Sequence, residues 1–279
     1  RSSTIRLSLA HAYDAAGESA KAAAVVAGFV PASDASVSAE IAYAARANDP
    51  QVLRSAYQHL VDLPEPRSPQ RLMLLGHIAE LVLRAAEAER WYADVPQGGQ
   101  YAAAQLRLAT LQFSRGDAAA SLNTVTALRA TGLLERDDLV RSYLLEGEIR
   151  QTTDGASAAL QVFDASLRML PDDGELMYAR ALMLAEVGRD DDMERELRRM
   201  IELDPNDADA LNALGYTLVD HDRNLDEAAA LLARAEKITP DSAALLDSLG
   251  WLAYRRGDLD AALEKLRAAH AKLDDPEVA

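Results

Sequence analysis

Residues 208–273 read ADALNALGYTLVDHDRNLDEAAALLARAEKITPDSAALLDSLGWLAYRRGDLDAALEKLRAAHAKL, and one pattern is written in them twice. Leu211, Leu214, Gly215, Leu218, Ala228, Leu232 and Pro240 in the first copy answer Leu246, Leu249, Gly250, Ala253, Ala262 and Leu266 in the second. Each copy spells two amphipathic helices, A and B, joined by a short turn, and a hairpin of this size cannot bury its own apolar face. The two small residues of each copy explain the spacing. A side chain larger than hydrogen at Gly215 or Gly250 would hold helix A away from helix B. Ala228 or Ala262 is expected to do the same on helix B, facing the next repeat. Large apolar residues at i, i+3 and i+7 fill the space around them.

Carried backwards, the same test finds eight hairpins. The small positions of helix A fall at Ala10, Ala44, Gly76, Ala109, Gly147, Ala181, Gly215 and Gly250, and those of helix B at Ala22, Ala56, Ala88, Ser121, Ala159, Met193, Ala228 and Ala262. Both ladders step by 32 to 38 residues and keep the same phase. Gly17, Gly116, Gly155, Gly188 and Gly257 mark turns between A and B, and Pro31, Pro64, Pro96, Pro171, Pro205, Pro240 and Pro276 mark joints between repeats. Pro50 belongs at the first turn of a B helix, behind Asn48 and Asp49, where a missing N–H costs nothing. The 38-residue step after Thr131-Gly132 implies about four extra loop residues, and Asp220–Asn224 lengthens one A–B turn by one residue. This is the tetratricopeptide pattern, with its period of about 34 residues. It implies an all-α fold, an α-solenoid of about eight tetratricopeptide helical hairpins forming a right-handed superhelix. The expected organisation is one solenoid over 1–279, with repeats at 2–30, 35–63, 68–95, 98–131, 135–170, 173–203, 207–238 and 241–273.

The composition agrees with a helical stack: Ala and Leu dominate, aromatics make up 5%, and no window approaches 18 uninterrupted apolar residues. The formal charge of −16 is uneven. From Pro171 onward there are 26 Asp and Glu against 13 Lys and Arg, which argues against nucleic acid or an anionic membrane as partner. With no cysteine, disulfides, thiolate metal sites and cysteine nucleophiles are excluded. The chain opens at Arg1 without Met or an apolar leader, and Leu259, Leu263 and Leu266 have no following helix to cover them. A processed chain or a fragment of a longer one is therefore expected.

Nothing in the pattern argues for catalysis, a cofactor or a metal. The five histidines (His11, His59, His77, His221 and His270) carry no ligand spacing, and neither G-x-S-x-G, a Gly-rich phosphate loop nor G-x-G-x-x-G is present. Asp190-Asp191-Asp192 resembles a calcium-ligand run but opens a B helix, where acids satisfy free N–H groups and the helix dipole.

A binding groove is the positive case. In stacked hairpins the A helices line the concave wall, and the residues placed there include Glu175, Tyr178, Leu182, Glu186, Asp209, Asn212, Tyr216, Asp220, Asp247, Trp251, Tyr254 and Arg255. Tyr178, Asn212, Tyr216, Asp247, Trp251, Tyr254 and Arg255 are the candidate partner-binding residues, forming an amphipathic surface suited to a peptide or helix. Packing of Tyr216 and Trp251 between adjacent A helices is the alternative. Tetratricopeptide domains that clamp acidic C-termini resemble one another in carrying Lys and Asn at these places. Here Tyr178, Asn212 and Asp247, then Glu186, Asp220 and Arg255, would repel an acidic tail.

Most of the chain resembles a branch of this repeat family. Residues 211–270, followed by DDPEVA, look like the C-terminal repeats of bacterial outer-membrane tetratricopeptide lipoproteins, and AEAERWYADVPQGGQYAAAQLRLATLQFSRGD (86–117) is similar to their middle repeats. The resemblance implies a non-enzymatic adaptor that holds and activates a periplasmic carboxyl-terminal processing protease and presents its substrates. It also implies a periplasmic, outer-membrane-attached protein with a possible lipid anchor outside this chain. The alternative is a scaffold for exopolysaccharide synthesis or export, or a cytoplasmic assembly factor.

Overall fold

The computed structural model describes residues 2–29, 32–64 and 66–273. Sixteen helices and no strand occur among them: α1 (Ser2–Ala15), α2 (Ser19–Ala27), α3 (Asp34–Arg46), α4 (Pro50–Asp62), α5 (Pro69–Leu81), α6 (Ala85–Ala93), α7 (Tyr101–Ser114), α8 (Ala118–Ala130), α9 (Arg136–Asp154), α10 (Ala156–Met169), α11 (Gly174–Glu186), α12 (Asp190–Leu203), α13 (Ala208–Asp220), α14 (Leu225–Ile238), α15 (Ala243–Arg255) and α16 (Leu259–Leu273). They pair as eight consecutive hairpins. The chain gathers into two compact units, Arg1–Leu145 and Glu146–Ala279, which divide inside α9.

All sixteen ladder positions are buried, from Ala10 to Gly250 on the A helices and from Ala22 to Ala262 on the B helices. The reason is a lock four residues further along each B helix. A methyl added to Gly76 would lie 2.4 Å from the Tyr92 ring, one added to Gly147 would lie 2.1 Å from the Phe163 ring, and one added to Gly215 or Gly250 would lie 2.7 Å from Leu232 or Leu266. Where helix A carries Ala, the residue in register on helix B is Val26, Leu60, Val125 or Leu197, all buried. The two aromatic rings therefore fall opposite glycine. Ala228 presents its carbonyl oxygen 3.5 Å from that added methyl on Gly215, so it closes against helix A of its own hairpin.

The turns explain the glycines. In six hairpins the residue after the turn donates its N–H to a carbonyl five positions back: Glu18 to Tyr13, Arg84 to Ala79, Asp117 to Gln112, Arg189 to Leu184, Arg223 to Leu218 and Asp258 to Ala253, all at 2.8 to 2.9 Å. That closure needs a left-handed residue just before it. Gly17, Gly116, Gly188 and Gly257 supply it with φ of 73 to 85°, and Leu83 and Asp222 supply it without being glycine, at φ 60° and 55°. Leu83 is also 92% exposed, so its side chain gains nothing from packing. Leu83→Gly is expected to raise unfolding free energy by about 1 kcal/mol, as a higher urea midpoint with an unchanged slope.

Pro50 and Pro69 sit at the first turns of α4 and α5 behind the capping side chains of Asp49 and Ser68, and none of the described prolines interrupts a helix. Pro31 and Pro276 lie outside the described residues. The A–B turn at 221–224 carries its extra residue as expected. The 38-residue step is resolved differently from the expectation. The loop 131–135 is short, and the additional residues lengthen α9 ahead of Gly147, giving it 19 residues where α11, α13 and α15 have 13. Asp137 and Asp138 in its first turn favour the extension, because carboxylates there oppose the helix dipole.

Trp91 and Tyr92 of the Arg90-Trp91-Tyr92 run serve packing. The Tyr92 ring fills the Gly76 crossing and its hydroxyl donates to Glu80, while Trp91 Nε1 donates to the Tyr57 hydroxyl (3.0 Å) on the preceding B helix. Burial and the neighbouring Glu80 hold the Tyr92 hydroxyl well above the ordinary tyrosine range.

Candidate partner-binding groove

In the unit from Glu146 onward, the faces of α11 and α13 left over from packing form a cleft of about 440 Å³. On α13 the packed face is Leu211, Leu214, Gly215 and Leu218, so Asn212 and Tyr216, four residues apart, point the other way. They meet Tyr178 and Leu182 of α11, with Met193 of α12 below and Asp190, Asp220 and His221 at the rim. Three candidate residues, Tyr178, Asn212 and Tyr216, thus share one cleft. Tyr216 and Leu182 are 40% and 47% exposed there, so Tyr216 is not consumed by the core.

Asp247, Trp251, Tyr254 and Arg255 continue along α15 outside that cleft. Trp251 and Tyr254 stack at 5.2 Å with an interplanar angle of 16°, and the Arg255 guanidinium lies 5.8 Å from the Trp251 ring. Arg255 also donates to the Asp220 carbonyl (3.1 Å) and pairs with Asp222 (3.2 Å), which makes it a staple between successive A helices. Glu186 is held in the same way by Gln151 Nε2 at 2.6 Å.

Two polar atoms of this surface are buried with no hydrogen-bond partner: Asn212 Oδ1, an acceptor, and Trp251 Nε1, a donor. The field is acidic. Burial, then Asp209 and Asp207, raises the Tyr178 hydroxyl, and burial, then Asp220 and Asp247, raises that of Tyr216. A ligand in the cleft meets the Tyr178 and Tyr216 rings, Leu182 and negative charge at the rim.

Asp190, Asp191 and Asp192 occupy the first turn of α12, but the cap residue Arg189 makes no side-chain cap bond. Arginines take the carboxylates instead: Asp192 binds Arg189 and Arg195, and Asp191 lies 3.7 Å from Arg223. No group of three potential metal ligands forms among the described residues, and none of their helices is long and apolar enough to cross a membrane.

Sequence spacing overlooked one association. Pairing of the two helices of one hairpin brings His59 of α4 onto Glu40 of α3, 19 residues away, with Nδ1 2.8 and 3.0 Å from the two carboxylate oxygens. The available signal was a charged residue on the apolar stripe Val37, Glu40, Ile41, Ala44.

Residues 196–230 match the family described as tetratricopeptide repeat. The chain is 37% identical over 206 residues, 74% of its length, to the TPR repeat-containing protein PA4667 of Pseudomonas aeruginosa, and the match spans 34% of that relative. A tetratricopeptide repeat protein from Parabacteroides merdae superposes with a TM-score of 0.58 at 18% identity, covering 85% of this chain and 90% of that one. In the crystal structure of the APC/C hetero-tetramer Cut9–Hcn1, a chain superposes with a TM-score of 0.55 at 14% identity, covering 93% of this chain and 50% of that one. With the buried small-residue ladder, these likenesses identify the fold as stacked tetratricopeptide hairpins.

Proposed function

We propose that this chain is a non-enzymatic adaptor that holds an extended segment of a partner protein along α11, α13 and α15. The observation that carries the reading is the row of exposed apolar and aromatic side chains on successive A helices, Leu182 on α11, Tyr216 on α13 and Tyr254 on α15. Aromatic anchors are the side chains that dominate such interfaces. The acidic field favours a neutral or basic segment. The resemblance of 86–117 and 211–270 to outer-membrane tetratricopeptide lipoproteins supports, as the partner, a carboxyl-terminal processing protease of the bacterial periplasm together with the substrates it cleaves. The corresponding location is the periplasmic face of the outer membrane.

The test is a reconstituted digest with the processing protease of the same organism. The chain is expected to bind the protease and to raise the rate at which it cleaves a folded protein substrate. Tyr216→Ala and Trp251→Ala are each expected to weaken that binding by about 30-fold, the size of a hot-spot anchor. Tyr216→Ala should lower the urea midpoint only modestly, since the residue is 40% exposed and lies outside the packed face of α13. No binding and no change in rate would remove the protease from this reading.

A further inference from the structure

A second cleft lies in the other unit, between the B helices α2 and α4, and its volume is about 500 Å³. Its walls are two matching stripes at i, i+3, i+4 and i+7: Ala20, Ala23, Ala24 and Ala27 on α2, and Val52, Ser55, Ala56 and His59 on α4. The alanines keep the walls low and apolar. At the floor is Glu40 of α3, only 2% exposed, whose carboxylate has, among the described residues, a single donor, His59 Nδ1, placed against both oxygens. An ionised carboxylate accepts about four hydrogen bonds, so most of this buried group's capacity is unused. Asp49 lines the mouth, and no Lys or Arg lines the cleft among the described residues. Burial pushes the Glu40 carboxyl up, and His59 opposes that rise.

We infer that this cleft binds an alkylammonium group, in the form of a lysine side chain from a partner protein, with its methylenes on the alanine stripe and its ammonium on Glu40. The polarity follows from Glu40 and Asp49 facing only one histidine. Lysine is favoured over arginine because His59 already spans both carboxylate oxygens, leaving no edge for a planar guanidinium fork, whereas an ammonium needs single lone pairs. A slender aliphatic stem suits apolar walls that end on a charge. A divalent cation is disfavoured, since among the described residues no third ligand groups with Glu40 and His59. The inference is independent of the groove on α11 and α13, and either can fail alone.

The probe is n-butylammonium, titrated into the whole chain while the His59 imidazole Cε1 proton is followed by NMR and assigned by its loss in His59→Gln. Saturable shifting is expected, with affinity at least about tenfold above that of neutral n-butanol, as a charge-assisted hydrogen bond requires. Glu40→Gln should abolish the preference for the ammonium. Because Glu40 is buried and its replacement could unfold α3, Ala24→Leu provides a second arm. Ala24 is exposed on α2, leucine is a good helix former, and the larger side chain should fill the cleft and abolish saturation while circular dichroism stays unchanged. Absence of saturation, an equal response to n-butanol, or unchanged binding in Ala24→Leu would each overturn the inference.

Discussion

Gly215→Leu is expected to cost about 3 kcal/mol or more and to loosen the α13–α14 hairpin before the rest of its unit. The first added carbon would stand 2.7 Å from Leu232 Cγ and 2.8 Å from Cδ2, inside van der Waals contact, with the Ala228 carbonyl oxygen at 3.5 Å. Leu232 and Ala228 are wholly buried, so neither has space to withdraw, and the remaining leucine carbons must push the helices apart. Urea unfolding followed by circular dichroism gives the size of the effect. Hydrogen exchange places it, with protection lost first over residues 208–238, as weak coupling between repeats allows. Melting indistinguishable from wild type would mean that helices A and B cross elsewhere.

The second large effect is a compensation. Gly147→Ala places a methyl 2.1 Å from the Phe163 ring and is expected to cost about 2 kcal/mol, because a buried aromatic cannot bend away. Phe163→Leu alone leaves a void at the same crossing and is expected to cost about 1–2 kcal/mol. The double variant recreates the alanine-and-leucine combination that occupies the same register, buried, at Ala44 and Leu60 and at Ala181 and Leu197. Its loss should therefore be smaller than the sum of the two by at least about 1 kcal/mol, measured as a double-mutant cycle. Simple additivity would show that the two positions do not share a crossing.

These expectations rest on a part of the fold that the sequence states openly. A close helix crossing admits only the smallest side chains, so Gly215, Gly250 and their fourteen counterparts had to be small or accommodated, and their period gave the stack. Spacing counts residues without assigning them a state, so the four additional positions before Gly147 could be read as loop although Arg136–Asp154 is continuous helix. Leu83 carries no left-handed signal. Its conformation is imposed by the turn closure from Arg84 to Ala79. Of the groove, the places these residues hold on the A helices of successive repeats were enough to put Tyr178, Asn212 and Tyr216 together. The unpartnered state of Asn212 Oδ1 and Trp251 Nε1 depends on what surrounds each atom, and the Glu40–His59 pairing depends on how α3 and α4 close on each other. One-dimensional spacing records neither.

The lock between each helix A and its own helix B has a genetic consequence. Glycine and the ring that occupies its place, as in Gly76 with Tyr92 or Gly147 with Phe163, are encoded 16 codons apart within one hairpin. A tandem duplication, deletion or shuffling event spanning a whole period copies both halves of the fit at once, so the hairpin inherits its own steric complement. Such a chain can lengthen or shorten by recombination without matching substitutions elsewhere, leaving the exposed residues of its A helices free to diversify toward new partners.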